Sequence, residues 1–383
     1  MNERQHVQSI AVLAILMSAL PAAAEADAPD DGSKQAPAVI LQPGPEYADG
    51  VRMFQGIPGI ERAPGGRLWV TWYGGGVTED HHNYVMLATS GDDGATWSDL
   101  AMVIDPDGDG PSRAFDPCLW HDPTGRLWLF WAQRHRGVYL WAMVTENSGD
   151  EAPTWSPPRL ICEGIMMCKP TVLSTGEWLL PVALWRQEGS ASVVCSDDKG
   201  TTWHKRGAAN VPRKEDRNCD EPMIVERGDG SLWTLVRTAY GIGESVSTDA
   251  GRTWSDVAPS KIGHATARFF IRRLRSGRLL LVKHGPIDQR TDRSRLTAYL
   301  SDDDGRSWHG GLMIDARPGV SYPDGVQARD GTIYLVYDYS RTGAKQILVA
   351  LFTEEDVEKG RCVTDRARLR VVANQATGSR PAP

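Results

Sequence analysis

An all-β fold, a six-bladed β-propeller with four antiparallel strands per blade, is predicted by three observations. The motif Ser-x-Asp-x-Gly-x-Thr-Trp recurs as S-G-D-D-G-A-T-W from Ser90, S-D-D-K-G-T-T-W from Ser196, S-T-D-A-G-R-T-W from Ser247 and S-D-D-D-G-R-S-W from Ser301, with a degenerate copy, S-G-D-E-A-P-T-W, from Ser148. Their starts are 58, 48, 51 and 54 residues apart. A second motif, a turn glycine leading into a short apolar strand, alternates with it at Gly66, Gly125, Gly176, Gly230, Gly277 and Gly331. The third observation is compositional: 14 Trp and 39 Gly in 383 residues suit many short strands joined by tight turns and packed through aromatic rings. A repeat of about fifty residues holding four strands is one blade, and a closed ring of blades leaves only short, protected edges.

From the N-terminus, Arg4, the apolar run 10–20 and the small residues Ala22, Ala23 and Ala24 read as a secretory signal over residues 1–24. The apolar run is too short to span a bilayer, and the protein is expected to be secreted or periplasmic, with no membrane span. Residues 25–45, rich in Ala, Pro, Asp and Gly, read as a flexible leader. The propeller is assigned to 46–374, with blade limits near 50, 101, 156, 206, 257 and 311. Residues 367–372 are expected to supply a strand for ring closure, and 375–383 a disordered tail.

Within each repeat the motif chemistry is local. The Asp carboxylate accepts backbone N–H groups in a turn, Gly supplies the left-handed conformation, and Trp folds back as an apolar plug. With 42 basic against 49 acidic residues and a net charge of −7, the chain lacks the basic surface that nucleic acids or anionic membranes require. Six cysteines match no zinc spacing and read as structural thiols or one or two disulfides. No cofactor motif is present: there is neither a dinucleotide fingerprint nor a P-loop. Asp105, Asp107 and Asp109, with Asp116 at loop position twelve, weakly match a calcium loop, against the plainer reading of an acidic turn between blades.

Polar residues at the inner end of each blade carry the functional signal. Nine residues before the turn glycine stand Asp116, Glu221, Arg268 and Tyr322 in blades two, four, five and six, with Ile57 and Met167 in the other two and Lys169 close by. Charged groups at equivalent places in otherwise apolar strands are hard to explain as packing.

The repeated Ser-x-Asp-x-Gly-x-Thr-Trp boxes on a six-bladed period resemble the Asp boxes of the sialidase superfamily, over roughly residues 50–360. The resemblance implies a carbohydrate-active enzyme acting on a glycan or oligosaccharide, a retaining exo-glycosidase. It further implies Tyr322 as nucleophile, Glu221 as its base, Asp80 in T-E-D-H-H-N-Y as acid/base, and Arg237 and Arg293 as clamps for the substrate carboxylate. The chemistry is coherent: a phenol with a pKa near 10 needs an adjacent carboxylate to take its proton. A sugar already bearing a carboxylate at its anomeric carbon would repel an acidic nucleophile. Guanidinium forks bind carboxylates bidentately. One departure stands out. The family's first clamp Arg lies in an R-I-P motif, where this chain reads Gln55-Gly56-Ile57-Pro58. Arg268, Arg113 and Lys169 are the candidate replacements, with Asp116 as a further substrate contact. Two other readings use the same ring. One is a uronate lyase drawing on His81, His82, His264 or His284. The other is a non-catalytic propeller that stacks sugars on Trp72, Trp131 or Trp185.

Overall fold

All six turn glycines adopt positive φ, between 82° and 106°, and each connects the first and second strands of one blade. A computed structural model describes residues 31–379. Among them are six antiparallel sheets, each built from consecutive strands, whose inner strands are Phe54–Arg62, Arg113–His121, Thr171–Val172, Asp220–Glu226, Phe270–Arg273 and Val320–Gln327. Five sheets have four strands. Blade one gains a fifth, Ala38–Ile40, which pairs with its outer strand Met102–Asp105.

Blade junctions lie later than the motif period suggests. The Asp box is the turn between the third and fourth strands, so the expected limits at 101, 156 and 257 precede the outer strands Met102–Asp105, Arg159–Glu163 and Ala258–Pro259. Those at 206 and 311 fall inside His204–Ala209 and His309–Asp315. The four intact boxes share one bonding scheme. In the second of them, Ser196 Oγ donates to Asp198 (2.8 Å) and accepts from the Gly200 N–H (2.8 Å), while Asp198 accepts from the Thr202 N–H and hydroxyl. These donors hold the Asp92, Asp198 and Asp303 carboxyls down at about 2, the Thr or Ser hydroxyl that follows contributing most. The degenerate box begins at Thr145, not Ser148. Thr145 Oγ1 bonds Asn147 Oδ1 (2.9 Å), which accepts from the Thr154 N–H (3.2 Å) after an insertion.

The segment 31–45 departs from the flexible leader expected of its composition. It carries a 3-10 turn, Gly32–Lys34, and the added strand. Ser33 O accepts from Trp141 Nε1 (3.0 Å), and Gly32 O from Gln133 Nε2 (2.8 Å). At the other end, Arg368–Gln375 is the outer strand of blade six, and order continues to the Thr377 N–H, which donates to Asp49 O (2.8 Å). The ring therefore closes by side-by-side packing of blades one and six. The Ile57 and Ile60 N–H groups donate to Asp338 (2.9 Å) and Asp324 (3.0 Å), and Gln55 Nε2 donates to Lys345 O (2.7 Å). The expected signal at 1–24 lies outside the described residues.

The core runs through the blades. Trp69, Trp72, Trp120, Trp128, Trp131 and Trp233 are among the largest fully buried side chains. Trp72 and Trp131 are thus blade packing and have no face free for a sugar; Trp185 is half-buried beside Phe115. All six cysteines are free thiols. The one α-helix among the described residues, Glu354–Lys359, is held by a capping box between Thr353 and Asp356 and ends at Gly360 in the left-handed conformation. No helix among the described residues is long and apolar enough to cross a membrane.

Candidate active site

Four inner strands share a device that aims one side chain at the axis. Each has a bulge over a residue followed by proline: Ile57-Pro58, Asp116-Pro117, Glu221-Pro222 and Tyr322-Pro323. Proline has no N–H to give the ladder, so it is tolerated where pairing is already interrupted. The residue before it adopts positive φ: 56° at Ile57, 49° at Asp116, 42° at Glu221 and 54° at Tyr322. Non-glycine residues in this region cost about 1–3 kcal/mol each and persist where surrounding structure enforces them. Three of the four carry chemistry.

The bulges bring Tyr322 and Glu221 together from blades six and four. Tyr322 Oη donates to Glu221 Oε1 at 2.8 Å. Arg237, on the strand paired with that of Glu221, reaches both through Nη1, at 2.6 Å to Glu221 Oε1 and 2.7 Å to Tyr322 Oη. Two more guanidinium groups flank the phenol ring, Arg341 at 4.3 Å and Arg293 at 5.5 Å from its centre. Burial first, then the Glu221 charge, drives the Tyr322 hydroxyl well above its usual range, against the three arginines, which lower it. It is therefore a neutral phenol whose proton has a carboxylate waiting, and Glu221 Oε2 has no partner of its own.

Asp116 lies beside this group with Oδ2 buried and unpaired. Burial, then the charges of Glu79 and Glu221, push its carboxyl up to about 8, so it is protonated at neutral pH. A carboxyl whose folded pKa exceeds its unfolded value of 3.8 stabilises the fold at low pH and loses that contribution as pH rises through about 8. Asp116→Asn should therefore lose less stability than the unsubstituted protein between pH 5 and pH 8.5. Urea midpoints at the two values measure this, and identical pH dependence would contradict it.

The remaining expected site residues divide. Arg113 lies on the same side, its guanidinium 4.1 Å from the Phe115 ring centre and 3.3 Å from Asn83 Oδ1. Lys169 and Arg268 are not clamps. Lys169 Nζ is buried against Ile60 O (2.7 Å), Leu119 O (2.7 Å), Glu61 (3.0 Å) and Asp324 (3.2 Å). Arg268 is 1% exposed and pairs with Asp324 at 3.2 Å. Both belong to an ionic cluster that ties five blades together at the axis. Asp80 makes none of the contacts around Tyr322; its carboxylate accepts the His82 N–H (3.0 Å) within its own loop. Its neighbour Glu79 turns inward instead and meets Arg341 Nη1 at 3.0 Å. His81 and His82 sit side by side on that loop with ring centres 3.8 Å apart and planes tilted by 43°. His264 and His284 form a buried stacked pair, held neutral chiefly by burial, with His284 lowered to about 4. Asp105 and Asp107 accept from Tyr47 Oη, Gly108 N and Ser112 N in the turn between blades. No group of three or more His, Cys, Asp or Glu side chains among the described residues could hold a metal ion.

Arg341 and Glu79 were not anticipated from the sequence. For the bulges a signal existed: a proline stands eight residues before the turn glycine in blades one, two, four and six.

Six blades, Asp boxes and an axial tyrosine–carboxylate–arginine group define a protein of the sialidase superfamily. Residues 66–335 match the BNR repeat-like domain, and the chain belongs to that family. It is 26% identical over 329 residues to a sialidase of Micromonospora viridifaciens, an alignment covering 74% of this chain and 49% of that protein. The chain thus spans about half the length of that curated relative. Among solved structures, the Hadza microbial sialidase Hz136 superposes with a TM-score of 0.64 at 20% identity, covering 80% of this chain and 68% of that one. A leech intramolecular trans-sialidase complexed with 2,7-anhydro-Neu5Ac gives 0.65 at 15% identity, covering 82% and 70%. At these identities the structural matches speak to the fold.

Proposed function

We propose that this protein is an exported, exo-acting, retaining glycoside hydrolase of sialidase type, removing a terminal acidic sugar from a glycan. The observation that carries the reading is the Tyr322–Glu221 hydrogen bond of 2.8 Å, with Arg237 bonded to both oxygens. Tyr322 Oη attacks the anomeric carbon as its proton passes to Glu221, and the glycosidic C–O bond breaks. Asp80 gives the departing oxygen a proton. Water then attacks the tyrosyl-linked sugar and loses a proton to Asp80, while Tyr322 leaves and recovers its proton from Glu221. Concerted proton transfer is needed because the buried phenol does not ionise by itself. For Asp80 to act, its loop must shift from its resting turn. Arg237 and Arg293 orient the sugar's acidic group, and neutral Asp116 offers an O–H donor to a hydroxyl.

The test offers the purified protein fluorogenic α-sialosides, glucuronides and rhamnosides, and uronate polymers followed in the ultraviolet. Release from an acidic glycoside, with the first product retaining its anomeric configuration by NMR, is the expected outcome. Unsaturated products absorbing in the ultraviolet, or no turnover of any acidic glycoside, would refute the assignment.

A further inference from the structure

We propose that Arg341 is an anion-binding guanidinium of this site, and that the Glu79 carboxylate occupies its outer edge in the resting protein as an internal stand-in for the ligand's carboxylate. The inference rests on the glycosidase reading of the funnel and adds to it a binding residue and a latch.

Four observations converge. Arg341 is fixed in place by the fold: Nε donates to buried Asp338 (3.0 Å) and Nη2 to Ser321 Oγ (3.1 Å). Asp338 is itself anchored by the Ile57 N–H and the Ser321 hydroxyl. Second, room for the side chain exists because residue 56 is glycine. A Cβ there would come within 2.9 Å of Arg341 Cγ and Cδ, so the place where a blade-one side chain would start is filled by a blade-six arginine. Third, the guanidinium lies 4.3 Å above the Tyr322 ring centre, where it meets whatever approaches the phenol. Fourth, its remaining contact is unlike the others. Glu79 reaches Nη1 at 3.0 Å from the loop after the second strand of blade one, and its side chain is 46% exposed.

The asymmetry of this contact decides its role. Asp338 is an interior anchor, whereas Glu79 is a rim carboxylate on a turn. A rim ion pair is weak, and an incoming carboxylate can exchange for it. Three of the five guanidinium N–H groups are engaged, which leaves donors on the outer edge for a bidentate ligand once Glu79 departs. Tyr322 is 6% exposed, with Arg341 over its ring and Glu79 on the far edge of that guanidinium. Displacing Glu79 also frees the loop that carries Asp80, coupling recognition of the anion to movement of the proposed acid.

Calorimetric titration of the full chain with N-acetylneuraminic acid, its methyl ester and glucuronic acid tests this, together with hydrogen exchange of residues 76–83. Glu79→Gln should bind the carboxylate sugar about two- to fivefold tighter and exchange faster in the loop without ligand. Arg341→Lys should bind it about tenfold or more weakly, since a point charge cannot replace the fork. Ester binding should not respond to either substitution. Wild-type affinity in Arg341→Lys, or no gain in Glu79→Gln, overturns the inference. Should glucuronic acid alone follow the pattern, the anion site stands and the sialidase-type substrate falls. If no carboxylate binds even Glu79→Gln, the anion site itself is refuted.

Discussion

Tyr322→Phe will lower kcat for an acidic glycoside by about three orders of magnitude or more, because it deletes the atom that forms the bond to the sugar. The fold should survive. Phenylalanine keeps the ring beneath Arg341 and Arg293, and Glu221 and Arg237 remain paired at 2.6 Å. Loss of the hydroxyl removes two buried hydrogen bonds, one to Glu221 and one from Arg237, but leaves those two groups paired with each other, so the loss in urea unfolding should stay within about 1.5–3 kcal/mol while turnover collapses. Binding of the product sugar should persist, because the arginines are untouched. Single-turnover rates with a good leaving group, alongside calorimetry, separate the two effects. A fall in kcat of less than tenfold would mean that the nucleophile is another group or water. Glu221→Gln offers the complementary reading. It keeps the shape of the pair but removes the proton acceptor, and should depress kcat without restoring activity at higher pH, since burial still opposes ionisation of the phenol.

Much of this site was legible because it is written on a repeat. Placing Asp116, Glu221 and Tyr322 nine residues before a turn glycine needs only the period, and the bulges then make those positions equivalent in space. Arg237 came from the resemblance and not from the period; the structure supplies the local reason, since strand pairing sets it opposite Asp220. The same rule also selects Arg268, and there it fails. Blade five has no proline-marked bulge at that position, and the side chain turns to Asp324 below the site. Arg341 was hidden because its position follows from no repeat. It depends on blade six folding back against blade one, and on a glycine 285 residues earlier leaving room. The strand Ala38–Ile40 was missed because a three-residue outer strand has no periodicity to detect and its surroundings have a leader's composition. In the degenerate box, an insertion between Asn147 and Thr154 moved the true start to Thr145, although the hydroxyl–amide pairing kept its chemistry.

The largest stability effect should come from a residue that resembles a ligand contact and serves as the hub of the ring. Lys169→Met will destabilise the protein by about 3–5 kcal/mol, the cost of breaking a buried ion pair from one side. Lys169 comes from blade three, but its ammonium is bonded to Ile60 O and Glu61 of blade one, Leu119 O of blade two and Asp324 of blade six. Arg268 of blade five completes the group through Asp324. Two cations thus face two carboxylates in a space closed to water. Despite the burial penalty, Lys169 first and then His121 hold the Glu61 carboxyl down at about 2. With Lys169 gone, Glu61 keeps His121 and the Arg62 N–H but no full cation, and two carbonyl oxygens lose the ammonium donor. Lys169→Met combined with Glu61→Met should recover part of the loss, because matched apolar groups carry no stranded charge. Urea denaturation of the two variants checks both statements; a single-variant loss below about 1 kcal/mol would place the pair in the range of solvent-screened contacts. The consequence for chemistry is directional. Asp324 follows Tyr322 by two residues on the bulged strand, so loosening the hub should raise KM and lower kcat together, whereas Tyr322→Phe should lower kcat with ground-state binding preserved.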